Sequence, residues 1–165
     1  MDGLRIRSAH DGDSRGLIRL IGAVFSEYAG CVLDVEHEEP ELLAIESCYR
    51  ARNGRFWVAE REGCIVGSVG VRPGGDTQTL EMKKLYVSRS VRRRGLGSRL
   101  IELAEAEVDT RGRSRMELWS DTRFEDAHRL YEGRGYRRSP KTRALQDRSQ
   151  SIEAYFSRAL PGGSA

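Results

Sequence analysis

The sequence is short of the residues that mark a disulfide-stabilised, metal-binding or membrane-spanning protein. Its three cysteines, Cys31, Cys48 and Cys64, are odd in number, far apart and without histidine or cysteine partners at metal-ligand spacing. Neither a disulfide framework nor a zinc site is therefore expected, and buried or partly buried free thiols are the simplest interpretation. No apolar run approaches the ~18 residues of a transmembrane helix, and no signal peptide is expected, since the N-terminus turns charged at Arg5 and Arg7. We expect a cytoplasmic protein with no membrane partner and no metal.

The excess of positive over negative charge is small, and aromatic side chains are few. The 165 residues carry a formal net charge of only +3, and 7% of them are aromatic. A protein that coats nucleic acid needs a larger basic excess with interleaved aromatic side chains, so no nucleic-acid partner is expected. The hydrophobic fraction of 38% and the charged fraction of 32% are typical of one soluble domain. We predict a single domain over residues 1–160 and a flexible tail at residues 161–165.

One stretch, residues 85–100, joins an apolar strand to a helix through a short loop rich in arginine and glycine. We call residues 92–97 of this stretch the glycine loop. Gly95 and Gly97 let the backbone approach a ligand closely, so N–H groups at the helix start can bind phosphate oxygens. The helix dipole and the side chains of Arg92, Arg93 and Arg94 add positive potential, which favours a diphosphate. The alternative is an ordinary strand-to-helix turn with solvated arginines.

Two sequence motifs connect the glycine loop with a known family. Residues 92–97, Arg-Arg-Arg-Gly-Leu-Gly, match Arg/Gln-x-x-Gly-x-Gly/Ala, and residues 127–136 match Ala-x-x-Leu-Tyr-Glu-x-x-Gly-Phe/Tyr. In this order and at this separation they resemble the motifs of the general-control-related N-acetyltransferase superfamily, GNAT. The resemblance covers residues 54–136, and the first fifty residues match only in outline.

The resemblance implies both a fold and a co-substrate. The fold is an α/β (α+β) domain, in which a mixed central sheet of about six to seven strands with a splayed strand pair is flanked by about four helices. The co-substrate is acetyl-coenzyme A (acetyl-CoA), and relatives occur as monomers and as homodimers. The residues expected to bind the coenzyme are Leu85, Tyr86, Val87, Arg92, Arg93, Arg94, Gly95, Leu96, Gly97 and Ser98.

Hydrophobic periodicity places the secondary structure along the chain. Alternation of Leu4 and Ile6 with arginines indicates a short edge strand. Helical spacing predicts helices at residues 14–30, 40–52 and 95–111, and one that ends near residue 133 after a cap at residues 120–122. Strands are predicted at residues 56–60, 64–71, 79–87, 115–119, 136–145 and 151–160.

The resemblance also implies the groups that would move protons. Tyr131 occupies the position of the family's general acid, which faces the departing thiolate; the alternative is a core aromatic at helical spacing. Glu81 lies on the strand before the glycine loop, eleven residues ahead of Arg92, where one branch of the family carries a catalytic base. Its alternatives are a carboxylate paired with Lys83, or an ordered water in place of a strict base. A backbone N–H near Leu85 is the expected oxyanion donor.

The acceptor site is less well marked in the sequence. Glu27, Tyr28, Trp119 and Asp121 are the candidate acceptor-binding residues. Residues 34–41 are acidic, which predicts either a solvated face or an entrance that attracts a cationic acceptor.

One position departs from the family pattern. Phe124 replaces an asparagine that often binds the pantetheine arm, and either Asp121 or Ser120 is the candidate substitute, unless these two residues only cap a helix. His128 is predicted to be a surface or supporting residue rather than a base.

These features predict an N-acetyltransferase. It would move an acetyl group from acetyl-CoA to a primary amine of a small molecule, peptide or protein, by direct attack in a ternary complex. The alternative is a non-catalytic module that binds or senses acyl-CoA on the same fold. Retention of both Glu81 and Tyr131 counts against that alternative.

Overall fold

The computed structural model describes residues 3–161, and across them the chain forms a seven-stranded sheet and four α-helices. Residues 162–165 of the predicted tail lie outside the described residues. The strands are β1 Leu4–Ser8, β2 Arg55–Arg61, β3 Cys64–Pro73, β4 Thr79–Val87, β5 Arg115–Asp121, β6 Arg137–Ala144 and β7 Ile152–Ala159. The helices are α1 Ser14–Phe25, α2 Ile45–Ala51, α3 Leu96–Thr110 and α4 Glu125–Gly133. None of the helices within residues 3–161 is long and apolar enough to cross a bilayer.

The sheet is mixed, with strand order β1-β2-β3-β4-β5-β7-β6. Only β4 and β5 are parallel, because α3 returns the chain between them, and the other neighbouring strands are antiparallel. The predicted mixed sheet with four helices is confirmed, and β1 is an edge strand as the alternation of Leu4 and Ile6 predicted.

Alternate residues of the strands face two separate helical layers. Leu80 and Met82 of β4 and Met116 and Leu118 of β5 pack against α3. On the opposite face, side chains of α1 and α2 pack against β2 through Leu17, Ile21, Ile45, Tyr49, Phe56 and Val58. Because side chains alternate along a strand, successive residues of β2 contribute to opposite cores: Trp57 and Ala59 to the core that contains α3, Phe56 and Val58 to the one that contains α1 and α2.

The central strands part after a short parallel contact. Residues Thr79–Glu81 of β4 pair with Arg115–Glu117 of β5. Beyond Glu81, no described residue of β4 is paired with a residue of β5. From there β5 pairs only with β7, as far as Asp121 opposite Glu153. The predicted splayed pair is therefore β4 and β5, and the gap between them opens towards the end of β4.

Three predicted helix boundaries were wrong for local reasons. The first helix ends at Phe25 and continues as turns, not as a helix to residue 30. The predicted helix at 40–52 is a 3₁₀ turn, Pro40–Leu43, followed by α2, because Ala44 has an extended φ of −150°. The last helix begins at Glu125 with Phe124 at its N-cap, since residues 120 and 121 belong to β5. The cysteines are unpaired, and Cys64 is exposed where partial burial was expected.

The close approach of α2 to the sheet gives a test of the packing. A Cβ added to Gly70 of β3 would lie 2.5 Å from Tyr49 Cε1 and 2.6 Å from Phe56 Cδ2. We expect Gly70→Ala to lower the free energy of unfolding by about 1–3 kcal/mol, measured by urea denaturation.

Gly22 of α1 is the matched control for that substitution. A Cβ there meets only Leu33 Cδ2, at 3.8 Å, and alanine is the better helix former. Gly22→Ala should therefore leave stability unchanged or raise it. Equal stability of Gly70→Ala and the wild type would contradict the packing described here.

Candidate active site

A cavity of about 500 Å³ fills the gap between the parted strands. Its walls are the end of β4, the glycine loop, the first turn of α3 and residues at the start of α4. Val24 and Tyr28 close it from the α1 side. The cavity therefore joins the unpaired edge of β4 to the N-terminus of a 15-residue helix.

The glycine loop leaves backbone N–H groups open to this cavity. Gly95 is the N-cap of α3 with φ +80°, and the first helical hydrogen bond runs from Arg99 N–H to the Gly95 carbonyl at 3.1 Å. The N–H groups of Leu96, Gly97 and Ser98 therefore have no carbonyl of a preceding helical turn to bind. A Cβ built on Gly95 meets no heavy atom within 4 Å, so the loop is not folded shut against the protein.

Arg92 is tied into the protein instead of being free. Its guanidinium binds both carboxylate oxygens of Glu27, at 2.6 and 2.8 Å, and its Nε–H donates to the Val87 carbonyl at 3.0 Å. This bidentate pair fixes the glycine loop to the turn after α1. Among residues 3–161, Arg93 and Arg94 form no ion pair, so their charges remain available to an anion.

Aromatic rings line the α1 side of the cavity. The ring centroid of Phe124 lies 4.8 Å from that of Tyr28 and 6.0 Å from that of Phe25. The ring centroids of Phe25 and Tyr86 are 5.8 Å apart. Phe124 stands where the resembled family often has asparagine, and it offers an apolar surface in place of an amide. Burial raises the pKa of Tyr28, so its phenol is protonated at neutral pH.

The two polar residues that could replace that asparagine are already occupied. Asp121 accepts hydrogen bonds from the Arg123 backbone and guanidinium, at 2.9 and 2.7 Å. Burial alone would raise the pKa of Asp121, but the Arg123 hydrogen bonds lower it below its ordinary value. Ser120 Oγ is hydrogen-bonded to His128 Nε2 at 3.1 Å. Both side chains are thus held within the protein, and neither residue lines the cavity.

A second, open cleft of about 530 Å³ lies on the sheet face opposite α3, at the vertex where β4 and β5 part. Glu81, Glu117 and Trp119 line it. Glu81 is 14% exposed and accepts hydrogen bonds from Arg72 Nε at 3.4 Å and Lys83 Nζ at 3.3 Å. The predicted pairing of Glu81 with Lys83 is thus present, and it leaves the carboxylate in a cleft that a ligand can reach.

Trp119 lies in a cluster of rings and cations beside that cleft. Its ring is 5.0 Å from the Tyr155 ring, with Arg143 at 4.3 Å and Lys141 at 5.4 Å from the ring centroid. Tyr155 in turn donates its hydroxyl proton to Glu117 at 2.7 Å. Trp119 is therefore held in place by contacts on both sides.

A bulge in β4 lies between the two openings. The register of β3 and β4 shifts between Ser68 and Gly70, so Lys84 and Leu85 lie opposite one residue of β3. Lys84 has a left-handed φ of +52°. Within residues 3–161, Leu85 has no registered partner on either neighbouring strand. A main-chain group at this point can therefore bind a ligand.

The sequence model of the Acetyltransferase (GNAT) family matches residues 21–136, well over half of the chain. The chain belongs to the GNAT acetyltransferase family. The match includes the glycine loop, both parted strands and the whole of α4.

Proteins of known sequence place this GNAT acetyltransferase among N-acetyltransferases. It is 29% identical over 128 residues to the uncharacterized N-acetyltransferase YjgM of Escherichia coli, covering 75% of this chain and 76% of that protein. It is 32% identical over 124 residues to the N-acetylaspartate synthetase of Danio rerio, covering 72% of this chain and 41% of that one. Probable N-acetyltransferase 14 of Xenopus tropicalis is 32% identical over 99 residues, which are 59% of this chain and 48% of its own length.

Solved structures share the fold of this GNAT acetyltransferase along nearly its full length. An acetyltransferase from Streptococcus agalactiae superposes with a TM-score of 0.82 at 21% identity, covering 97% of this chain and all of the other. A GNAT acetyltransferase from Staphylococcus aureus gives 0.80 at 22% identity, with 95% and 99% coverage. YncA from Salmonella typhimurium, solved with acetyl-CoA, gives 0.74 at 18% identity, with 99% and 98% coverage.

The residues of this GNAT acetyltransferase that are predicted to bind the coenzyme lie close together. All of them except Arg94, which is exposed, line the cavity between β4 and β5. The predicted acceptor residues do not lie together. Glu27 and Tyr28 are at the coenzyme side, Trp119 is in the other cleft beside Glu81, and Asp121 is bound to Arg123.

Tyr131 lies in the core behind the cavity. It is 5% exposed, its ring is 5.5 Å from Phe156 and 6.0 Å from Tyr136, and its neighbour Leu130 lines the cavity. Burial raises the pKa of Tyr131 well above its ordinary value, so the phenol keeps its proton. Both predicted interpretations of Tyr131, general acid and core aromatic, are compatible with this position.

One sequence-based interpretation needs correction, and for a second the structure selects one of the predicted alternatives, a supporting position. The acidic residues 34–41 do not form an open acidic entrance: Asp34 binds His37 and Arg148, and two further carboxylates, Glu39 and Glu41, pair with Lys84. His128 is not at the surface. It is 5% exposed, and burial lowers its pKa so that the ring is neutral, in a supporting position next to Ser120.

Proposed function

We propose that the protein transfers the acetyl group of acetyl-CoA to a primary amine of a small molecule, peptide or protein, by direct attack in a ternary complex. One observation carries this proposal: the gap between β4 and β5 is an open cavity that ends on the uncapped N–H groups of α3. The acetyl-CoA bound to the structural relative YncA supports the choice of co-substrate.

The coenzyme would occupy the cavity along its length. Its diphosphate would bind the N–H groups of Leu96, Gly97 and Ser98, where the helix dipole and the free guanidinium of Arg93 favour negative charge. Its pantetheine amides would follow residues 85–87, the part of β4 that β5 leaves unpaired. Phe124 then supports the pantetheine by apolar contact where the family's asparagine would donate a hydrogen bond.

The chemical step needs a place for negative charge and two proton transfers. The acceptor nitrogen attacks the thioester carbon, and the Leu85 N–H would bind the resulting oxyanion. The C–S bond then breaks, and the coenzyme thiolate takes the proton of Tyr131. Because an alkyl amine is only about one part in a thousand neutral at pH 7, a base must remove the amine proton, and Glu81 would do so directly or through a water.

The acceptor would approach from the cleft that contains Glu81 and Trp119. This cleft lies at the vertex of the parted strands, on the face opposite α3. The sequence-based expectations of a monomer or homodimer, of a cytoplasmic location and of one domain over residues 1–160 form part of the proposal.

A non-catalytic acyl-CoA sensor on the same fold is the second candidate. It is favoured by the pairing of Glu81 with both Arg72 and Lys83, which occupies the proposed base. The two functions share coenzyme binding and differ only in turnover.

Calorimetry and a thiol-release assay separate these functions. We expect acetyl-CoA to bind and coenzyme A to be released when a broad panel of small-molecule and peptide amines is offered. Binding without release from any acceptor would favour the sensor. Absence of binding would contradict both functions.

A further inference from the structure

Lys84 has an unusual conformation for a residue inside a strand. Its φ of +52° lies in the left-handed region, which residues with a Cβ adopt rarely and keep only where the surroundings fix them. The next residue, Leu85, begins the part of β4 that lines the cavity. The peptide plane between Lys84 and Leu85 carries the Lys84 carbonyl and the Leu85 N–H, so the conformation of Lys84 sets the direction of both.

A buried hydroxyl fixes one side of this peptide plane. Ser68 of β3 is fully buried, and its Oγ donates a hydrogen bond to the Lys84 carbonyl at 2.8 Å. In a trans peptide the carbonyl and the N–H point in opposite directions. Since the Lys84 carbonyl points to the Ser68 hydroxyl, the Leu85 N–H points away from it, and within residues 3–161 no registered partner on β3 or β5 lies opposite Leu85.

Two carboxylates fix the side chain of the same residue. The Lys84 side chain is only 6% exposed, and its Nζ forms ion pairs with Glu39 and with Glu41 Oε1, the latter at 3.3 Å. Both carboxylates belong to the connection between α1 and α2, at the 3₁₀ turn Pro40–Leu43. That turn is itself anchored, because its residue Leu42 is fully buried. The bulge is thus attached to a rigid part of the opposite layer.

The Glu41 carboxylate of this ion-pair cluster is ionised at neutral pH. Burial alone would raise the pKa of Glu41, but the Lys84 ammonium lowers it below its ordinary value. An uncharged side chain at position 84 would leave two half-buried carboxylates next to each other without a cation. Their repulsion would displace the turn or the bulge.

We propose that Lys84 is a positioning residue for acetyl transfer: its ion pairs with Glu39 and Glu41 hold the left-handed bulge that aims the Leu85 N–H at the thioester oxygen. The inference rests on the proposed function and adds to it a residue that touches neither coenzyme nor acceptor.

Three variants at Lys84 separate the effect of its charge from the effect of its backbone conformation. Lys84→Met keeps the bulk of the side chain and removes the ammonium, Lys84→Arg keeps the charge, and Lys84→Gly accepts φ +52° without strain but lacks the ion pairs. Removing one oxyanion donor costs about 10²–10³ in kcat, so a misaligned donor in Lys84→Met should cost about tenfold or more. Because the glycine loop is unchanged, the KM for acetyl-CoA should change little. Lys84→Arg should recover most of the loss, and Lys84→Gly should not.

Arg7 supplies a matched control for the loss of a cation that is paired with two carboxylates. It too is held by two carboxylates, Asp13 and Glu60, but on the edge strand β1. Arg7→Met should lower stability as Lys84→Met does and leave kcat within about twofold of the wild type.

Infrared spectroscopy of bound acetyl-CoA, labelled with ¹³C at the carbonyl, measures polarisation of the thioester. This polarisation does not depend on the stability of the protein. The thioester carbonyl stretch should shift to lower frequency on binding the wild type and Arg7→Met, and the shift should be largely lost in Lys84→Met. Equal shifts and equal kcat in Lys84→Met and the wild type would overturn the role of Lys84 alone. Failure of the wild type to bind acetyl-CoA would overturn the proposed function together with it.

Discussion

Replacing Tyr131 with phenylalanine is expected to lower kcat by about 10²-fold or more, with little change in coenzyme affinity. The phenol is the only proton donor that the proposed mechanism assigns to the departing thiolate. Burial raises the pKa of Tyr131 well above its ordinary value, so the neutral phenol is the form present at neutral pH. Steady-state kinetics with the best acceptor, together with calorimetry of acetyl-CoA binding, would measure both quantities.

Tyr136 is the natural control for this substitution. It is buried beside Tyr131, 6.0 Å between ring centroids, and its hydroxyl donates to Glu105 at 3.0 Å in a network that holds α3. Tyr136→Phe should lower stability by about 1 kcal/mol through the lost hydrogen bond and keep kcat. If Tyr131→Phe also keeps its turnover, Tyr131 is a core aromatic and the acid lies elsewhere.

The same raised pKa predicts the shape of the alkaline pH profile. An acid whose pKa is raised loses its proton only at higher pH, so deprotonation of Tyr131 should not reduce kcat as the pH rises to about 10, the ordinary tyrosine pKa. The activity should instead rise with pH up to about 10, as a growing fraction of the alkyl-amine acceptor loses its proton. A fall in kcat near pH 8 that disappears in Tyr131→Phe would contradict this protonation state.

Replacing Gly95 with alanine is expected to weaken acetyl-CoA binding by about tenfold or more, or roughly 1.4 kcal/mol. Gly95 has φ +80° at the N-cap of α3, and a Cβ there meets no protein atom within 4 Å. The added methyl group would project beside the N–H groups that are proposed to bind the diphosphate and would keep it at a distance. Calorimetry with acetyl-CoA and with coenzyme A would measure the loss.

Gly112, just beyond the other end of the same helix, isolates the effect of backbone strain. It has φ +61°, and a Cβ there also meets no atom within 4 Å. Both alanine variants should lose about 1 kcal/mol of stability, because alanine is strained at positive φ. Only Gly95→Ala should lose coenzyme affinity. Equal coenzyme affinity in the two variants would show that the diphosphate does not bind at the start of α3.

Local patterns in the sequence were enough to find most elements of the fold. The predicted strand at residues 79–87 is β4 as the structure has it, and the predicted helix at 95–111 differs from α3 by one residue at each end. Apolar periodicity is a property of neighbouring residues, so it survives without tertiary information. The same holds for the glycine loop, whose backbone role depends on two residues that lack a side chain.

Contacts between distant segments could not be predicted from such patterns. The pairing of Arg92 with Glu27 joins residues 65 positions apart, and that of Lys84 with Glu39 joins residues 45 positions apart. Arg92 was predicted to bind the coenzyme and Glu27 to bind the acceptor, and in the structure the two bind each other. Charged side chains in the sequence have many possible partners, and only the folded chain selects among them.

The sequence by itself determined the order of strands and helices, the glycine loop and the motif that contains Tyr131, because each is encoded in residues close together in the chain. The tertiary structure alone decided where β4 and β5 part, that the bulge falls at Lys84, and that Asp34, Glu39 and Glu41 are bound to basic side chains. These depend on strand register and on long-range ion pairs, whose free energies exist only when separate segments are packed against one another.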